Sequence, residues 1–355
     1  MQSLDNLTDI EKLDKGKILT SIVSLPDQIK QAWEEVSMLN FGKEYEGVQS
    51  LIVSGMGGSA LGGRIIDSLF ADRLRVPLEI VTDYHLPHYV NSKTLVILSS
   101  YSGNTEETIA AAHDAISKKA KVFVVATGGK LAELVNKEKL IGYVFNPIHN
   151  PSNQPRMGLG YSLGIILALL GKNEFITVSK EEINELTNSA SEFVHQFGVR
   201  AKEDQNIAKL LATKLHNKMI MLMASEHLSG VSYAFKNQIN ENAKNFSALF
   251  EISESNHHLL EGLKFPSGIK DKMMFLMFES PHYYERVLKR YPITKDVIEK
   301  NGYKALTYKT TSKTKLEEVV EILVLGSYIS FYLAMLEGID PSPIPWVDYF
   351  KEKLA

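Results

Sequence analysis

Short apolar, β-branched runs alternate with longer helical patterns along most of the chain, and this alternation predicts an α/β fold built on parallel sheets. In the first half the runs place strands at Ser50–Val53, Leu78–Val81, Thr94–Leu98, Lys121–Val125 and Ile141–Phe145. Most are followed by turn chemistry and then a helix. Thr105–Ser117 reads as one such helix, with Ile109, Ala112 and Ile116 on a single face. After the apolar stretch Leu159–Leu170 the character changes. Glu181–His195 and Glu203–His216 are polar and helix-forming, and the link to a second domain is expected between them. Strand-like runs resume at Met219–Met223, Met273–Phe278 and Ala305–Tyr308, with helices at Ser229–Lys244, Tyr283–Lys300 and Lys315–Glu337. The second half repeats the layout of the first without its glycines, which suggests duplication. The end of the chain, from Gly338 through Pro341, Pro343 and Pro345, reads as an extended tail closing in Trp346–Leu354.

Composition narrows the classes. With 355 residues, 44 % of them apolar and 23 % charged, the chain suits two folded domains rather than a disordered segment. The net charge of -3 comes without any basic stretch, so no nucleic-acid partner is expected. There is no cysteine, which removes disulfides, thiolate nucleophiles and cysteine-based metal sites. The N-terminus has neither the basic region nor the apolar core of a signal peptide. Leu159–Leu170 is too short to span a bilayer. A soluble, cytoplasmic protein with no membrane partner is expected.

Two loops carry the candidate chemistry. Ser54-Gly55-Met56-Gly57-Gly58-Ser59-Ala60 lies between a strand and a helix, where glycines let the backbone approach a ligand and the helix start offers free N–H groups to an anion. Gly55, Gly57 and Ala60 also fit a dinucleotide fingerprint, with Asp83 at the end of the next strand. Ser99-Ser100-Tyr101-Ser102-Gly103-Asn104-Thr105 opens a second helix, and the hydroxyls of Ser100, Ser102 and Thr105 suit a phosphate dianion without a lysine. Two such loops favour a monophosphate over a dinucleotide.

Together, Gly55–Ser59 and Ser100–Thr105 resemble the sugar isomerase (SIS) fold. Asn153-Gln154-Pro155-Arg156, Gln238–Lys244, Ser255-Asn256-His257-His258 and the Asp340-Pro341 tail extend the likeness over nearly the full length. In that order they resemble the bifunctional phosphoglucose/phosphomannose isomerase family. The resemblance implies an α/β fold with two SIS-type subdomains, each a parallel sheet flanked by helices. The expected division is an N-terminal helical segment at 1–40, a phosphate-binding domain at 41–175, a domain carrying the catalytic base at 190–330, and a tail at 331–355 that returns to the active site.

It also implies roles. Moving a carbonyl between C1 and C2 of a hexose 6-phosphate needs a base to shuttle a proton through a cis-enediolate, and Glu241 is expected to supply it. His257 matches the position that opens the sugar ring, contributed across a homodimer interface, with the adjacent His258 as second choice. Arg156 is expected to stabilise the enediolate, and Lys351 to assist ring opening. Gly58, Ser59, Ser100, Ser102 and Thr105 are the expected phosphate ligands. No metal or organic cofactor is required, since proton transfer does all the chemistry. One departure bears on specificity: Ile344, seven residues before Lys351, stands where relatives that use mannose 6-phosphate well can carry threonine. Two rivals remain, a non-catalytic SIS sugar-phosphate sensor and a nicotinamide-dependent oxidoreductase.

Overall fold

A computed structural model describes residues 3–354. The chain divides into two compact units, Ser24–Asn188 and a second made of the residues up to Val23 together with Ser189 onward. The division falls inside one continuous helix, Lys180–Phe197, rather than in the connection that follows it. The helical segment expected over residues 1–40 is therefore shared between the units.

The first unit is built on five parallel strands: β1 Ser50–Ser54, β2 Leu78–Val81, β3 Thr94–Ser99, β4 Lys121–Ala126 and β5 Ile141–Val144. Their order across the sheet is β2-β1-β3-β4-β5. All six residues of β3 are buried, as expected of a central strand in a sheet covered on both faces. On one face Ile52, Val96, Leu98 and Val124 pack against Ala111, Ala112 and Ala115 of the helix Glu106–Ser117 and against Leu131 and Leu134. The small alanines let that helix lie close to the sheet. The helix Leu159–Lys172 is buried along almost its whole length and packs on the helix Leu25–Ser37.

The second unit carries four parallel strands, β6 Met219–Ala224, β7 Ser247–Glu251, β8 Met273–Glu279 and β9 Lys304–Lys309, in the order β7-β6-β8-β9. β7 is an edge strand with mostly half-buried residues, and the sequence pattern does not reveal it. The helix Lys315–Leu336 is long and apolar enough to cross a membrane, but every residue of its apolar stretch is buried inside the protein. It is the core helix of this unit. The N-terminal residues are held to the unit by Asp5, which accepts a hydrogen bond at 2.8 Å from the fully buried ammonium of Lys209.

Each sheet begins in its interior. The chain leaves β1 to one side for β2 and returns to the other for β3, and β6, β7 and β8 repeat the move. The crevice outside the carboxyl ends of β1 and β3, and of β6 and β8, is where open parallel sheets bind ligands.

Candidate active site

In the first unit, the glycine-rich loop follows β1 and the hydroxyl-rich loop follows β3, so both sit at the switch point. The helix Gly58–Leu69 opens directly from the first loop, and Gly57 is held at φ 50°, a conformation that favours glycine. The two loops are joined, because the Tyr101 amide donates to Ser59 Oγ at 3.0 Å. Thr105 occupies the N-cap position of Glu106–Ser117, yet its side chain makes no capping bond. Its Oγ1 instead pairs with Ser100 Oγ at 2.8 Å, and Ser100 Oγ also accepts from the Thr105 amide at 3.4 Å. Ser100 is fully buried, whereas Ser102 is exposed and its Oγ accepts from the Asn104 amide at 3.2 Å. Gly103, at φ 70°, permits the close turn: a Cβ there would lie 1.8 Å from the Gly128 carbonyl oxygen.

Arg156 belongs to the same unit. It lies in the short 3-10 turn Pro155–Met157 and is only 1 % exposed, among the largest fully buried side chains of the protein. A surface arginine in a solvated salt bridge is thus excluded. Its Nη1 donates to Gln154 Oε1 at 2.7 Å. The turn abuts the helix start that follows the glycine-rich loop, since a Cβ on Gly58 would lie 2.8 Å from the Pro155 carbonyl carbon and 2.9 Å from the Arg156 nitrogen. Buried Gln28 braces the segment from the other side, donating to the carbonyls of His149 and Met157, both at 3.0 Å, and accepting from the Gly160 amide at 3.2 Å. A small cavity of ≈ 20 Å³, about enough for one water, lies among Gly58, Ser59, Tyr101, Pro155 and Tyr161.

Glu241, His257 and Lys351 belong to the second unit. Glu241 is half-buried in the last turn of the helix Ser229–Asn242. Beyond it Lys244 donates to the Glu241 carbonyl at 2.9 Å and to the Pro341 carbonyl at 2.8 Å, which fastens the start of the tail beside the helix end. His257 and His258 are both exposed in the turn between the short helices Ile252–Ser255 and Leu259–Gly262. Lys351 is exposed on the helix Pro345–Leu354, which also exposes Trp346, Val347, Tyr349, Phe350 and Leu354. Ile344 immediately precedes that helix, and its carbonyl accepts from the amides of Val347 and Asp348.

A polar cluster gathers at the carboxyl ends of the second sheet. His227 after β6, Ser280 and His282 after β8, and Thr310 after β9 converge on the fully buried carboxylate of Glu318. His227 Nε2 lies 2.6 Å and Ser280 Oγ 2.7 Å from Oε2, while His282 Nδ1 is 3.1 Å from Oε1. Burial alone would raise the Glu318 pKa. The bonds from His227, Thr310, Ser280 and His282 together outweigh it and hold the carboxyl below its ordinary value. Tyr101, Asn150 and Gln28 in the first unit, and Glu318 in the second, are the structured polar groups that sequence reasoning did not single out.

A protein of Caldicellulosiruptor bescii named bifunctional phosphoglucose/phosphomannose isomerase is 35 % identical over 337 residues, covering 94 % of this chain and 98 % of its own. The chain belongs to the bifunctional phosphoglucose/phosphomannose isomerase family. A member of the family from Thermoplasma acidophilum is 28 % identical, with 86 % of this chain and 90 % of its own matched. Residues 204–354 also match the family model described as the bacterial phospho-glucose isomerase C-terminal SIS domain. The fold is shared more widely. A hypothetical protein from Thermus thermophilus superposes with a TM-score of 0.75 at 14 % identity, over 99 % of this chain and 94 % of its own. Family membership supports the isomerase expectation and removes the main ground for a nicotinamide enzyme.

Proposed function

We propose that the protein interconverts glucose 6-phosphate and fructose 6-phosphate, and that mannose 6-phosphate is a second aldose substrate. The observation that carries this reading is Arg156: its side chain is a permanently charged guanidinium held buried, and its backbone is set directly against the start of the helix that follows the glycine-rich loop. A charge held away from water acts more strongly on an anion than a solvated one does, and an anionic enediolate is what this reaction generates.

In this reading the phosphate is bound by Gly58, Ser59, Ser100, Ser102 and Thr105. Ser100 and Thr105 already share a hydrogen bond, so their hydroxyl protons can reorient toward the ligand without moving the chain. His257 exchanges protons with the ring oxygen and C1 hydroxyl to open the sugar, assisted by Lys351. Glu241 then removes the C2 proton of the aldose and returns it at C1, while Arg156 stabilises the charge that accumulates on the enediolate oxygens. No metal is called for by proton transfer between adjacent carbons.

The working form is a homodimer in which His257 comes from the neighbouring subunit. The exposed apolar residues of Pro345–Leu354 support this, because a helix presenting Trp346, Tyr349 and Phe350 to water is suited to burial against another surface. It acts in the cytoplasm. A phosphosugar sensor on the same scaffold would keep Ser100 and Thr105 but need none of Glu241, His257 and Lys351.

The test is turnover of fructose 6-phosphate by EDTA-treated protein, coupled to glucose-6-phosphate dehydrogenase, with Glu241→Gln alongside and mannose 6-phosphate as second substrate. Turnover that falls by about 10²-fold or more in the variant is the expected result, the size of effect that removal of a general base produces. A folded dimer inert toward both sugars would leave the sensor as the better reading. Poor use of mannose 6-phosphate alone would assign the restriction to Ile344.

A further inference from the structure

Tyr101 touches three separate parts of the first unit's site. Its amide donates to Ser59 Oγ in the glycine-rich loop. Its carbonyl accepts from the amide and hydroxyl of Thr127, at 2.9 and 2.7 Å, which fixes the backbone of the hydroxyl-rich loop against the end of β4. Its hydroxyl accepts from Asn150 Nδ2 at 2.8 Å. Asn150 is buried and fully employed: Nδ2 also donates to the Gln154 carbonyl at 3.0 Å, and Oδ1 accepts from Ser152 Oγ at 2.8 Å. Gln154 in turn receives Arg156 Nη1. The Tyr101 ring closes the other end of the same segment, since a Cβ on Gly158 would meet its Cε2 at 3.1 Å.

We propose that Tyr101 and Asn150 are positioning residues that tie the phosphate loop Ser100–Thr105 to the Arg156 guanidinium, so that seating of a phosphate fixes the donor for the reacting end of the sugar. The proposal rests on the reading of Arg156 given above. The residue types fit the task. Asn150 has two acceptors to satisfy and one donor to receive, which an aspartate of the same shape cannot do. Tyr101 is rigid, carries two torsions, and spans from the phosphate loop to the Arg156 segment through a hydroxyl that burial keeps protonated, its pKa pushed up to about 12. A phosphate drawn to Ser100 and Thr105 acts on the backbone on either side of Tyr101, and the hydrogen bond to Asn150 carries any displacement into the turn that holds Arg156.

The test uses Tyr101→Phe, which keeps the ring and removes the acceptor, with Asn150→Asp as a second variant. Amide hydrogen exchange over residues 150–158 is measured with and without inorganic phosphate. Phosphate is expected to slow exchange there in the wild type, and to do so at least about threefold less in either variant, with the melting temperature of Tyr101→Phe nearly unchanged and that of Asn150→Asp lowered by its buried carboxyl. Retained protection in Tyr101→Phe, or no protection in the wild type, would overturn the coupling. Kinetics then provide the second readout. Tyr101→Phe should lower kcat about tenfold with KM within twofold, and should cost little more in an Arg156→Lys background. Fully additive losses would also overturn it. A wild type without isomerase activity would sink the proposed function and leave the exchange comparison to decide the coupling.

Discussion

The backbones of Gly58 and Arg156 meet with no room for a side chain between them, a Cβ on Gly58 falling 2.9 Å from the Arg156 nitrogen. One residue opens the helix that follows the glycine-rich loop, and the other carries the buried guanidinium. Two parts of the site that lie about a hundred residues apart in sequence are therefore positioned by direct backbone contact, with no intervening side chain to flex. Rigid placement of this kind is what electrostatic stabilisation of a developing charge requires.

Gly58→Ala tests that contact. The added methyl meets backbone atoms, which cannot rotate away, so the helix start or the Pro155–Met157 turn must shift. Overpacking of this sort costs about 1–3 kcal/mol, to be read from denaturant unfolding. Because the displaced atoms carry Arg156, kcat should fall at least about tenfold even where the variant is fully folded. A variant that loses stability and keeps full activity would show that the contact serves packing alone.

Ser100→Ala addresses phosphate binding. Ser100 Oγ is buried and engages both Thr105 Oγ1 and the Thr105 amide. Removing a hydrogen bond to a charged ligand costs about 1.5–3 kcal/mol, which converts to a rise in KM for the sugar phosphate of roughly 10- to 150-fold with kcat less affected. Competition by inorganic phosphate should weaken in parallel. An unchanged inhibition constant would move the phosphate away from this loop.

The strands of the first unit were legible because each is a short apolar run bounded by turn residues, and Ser50, Leu78, Thr94, Lys121 and Ile141 all begin strands where the pattern places them. β7 was not. Ser-Ala-Leu-Phe-Glu has no β-branched residue, and at a sheet edge its residues are half-buried rather than alternating. The helix expected over Glu203–His216 is broken at Asn206, whose side chain caps a new helix by accepting from the amides of Ala208 and Lys209. Glu241 and Arg156 were named from family likeness, and their roles stay proposals. The burial of Arg156 and the Tyr101–Asn150 bond were out of reach, because they depend on contacts 49 residues apart or more that one sequence cannot show.

Asp5→Ala tests how the N-terminus is held. Lys209 is fully buried, with Asp5, the Val199 carbonyl and the face of Tyr332 around its ammonium. Truncating Asp5 leaves that charge buried with a single carbonyl acceptor. Removing one partner of a fully buried pair costs about 3–5 kcal/mol. Asp5 itself is partly exposed, so the loss should be nearer about 2 kcal/mol. Limited proteolysis should cut the variant sooner than the wild type within the first 23 residues, which belong to this unit. Equal cutting would mean that Leu4, Ile10, Ile18 and Ile22, all buried, suffice as anchors.

The Glu318 cluster makes a prediction about acid. Its carboxyl is held below the ordinary value of 4.5 in the folded protein, so the folded state favours the ionised form more than the unfolded chain does. The stability this contributes is fully present above that ordinary value and is lost as pH falls through the lower, folded one. Glu318→Gln keeps the shape but gives up the charge that faces His227, His282, Ser280 and Thr310. At neutral pH the variant should melt lower than the wild type, by the roughly 2–4 kcal/mol that a buried charge-assisted network loses when one member is altered. The gap should narrow as pH is lowered below the ordinary value of 4.5 and through the lower, folded one, since the wild-type carboxyl then takes up a proton and comes to resemble the amide. Melting curves of both proteins across that range decide the matter. A gap that stays constant would show that shape and hydrogen-bond count at Glu318, not its ionisation, hold the carboxyl ends of β6, β8 and β9 together.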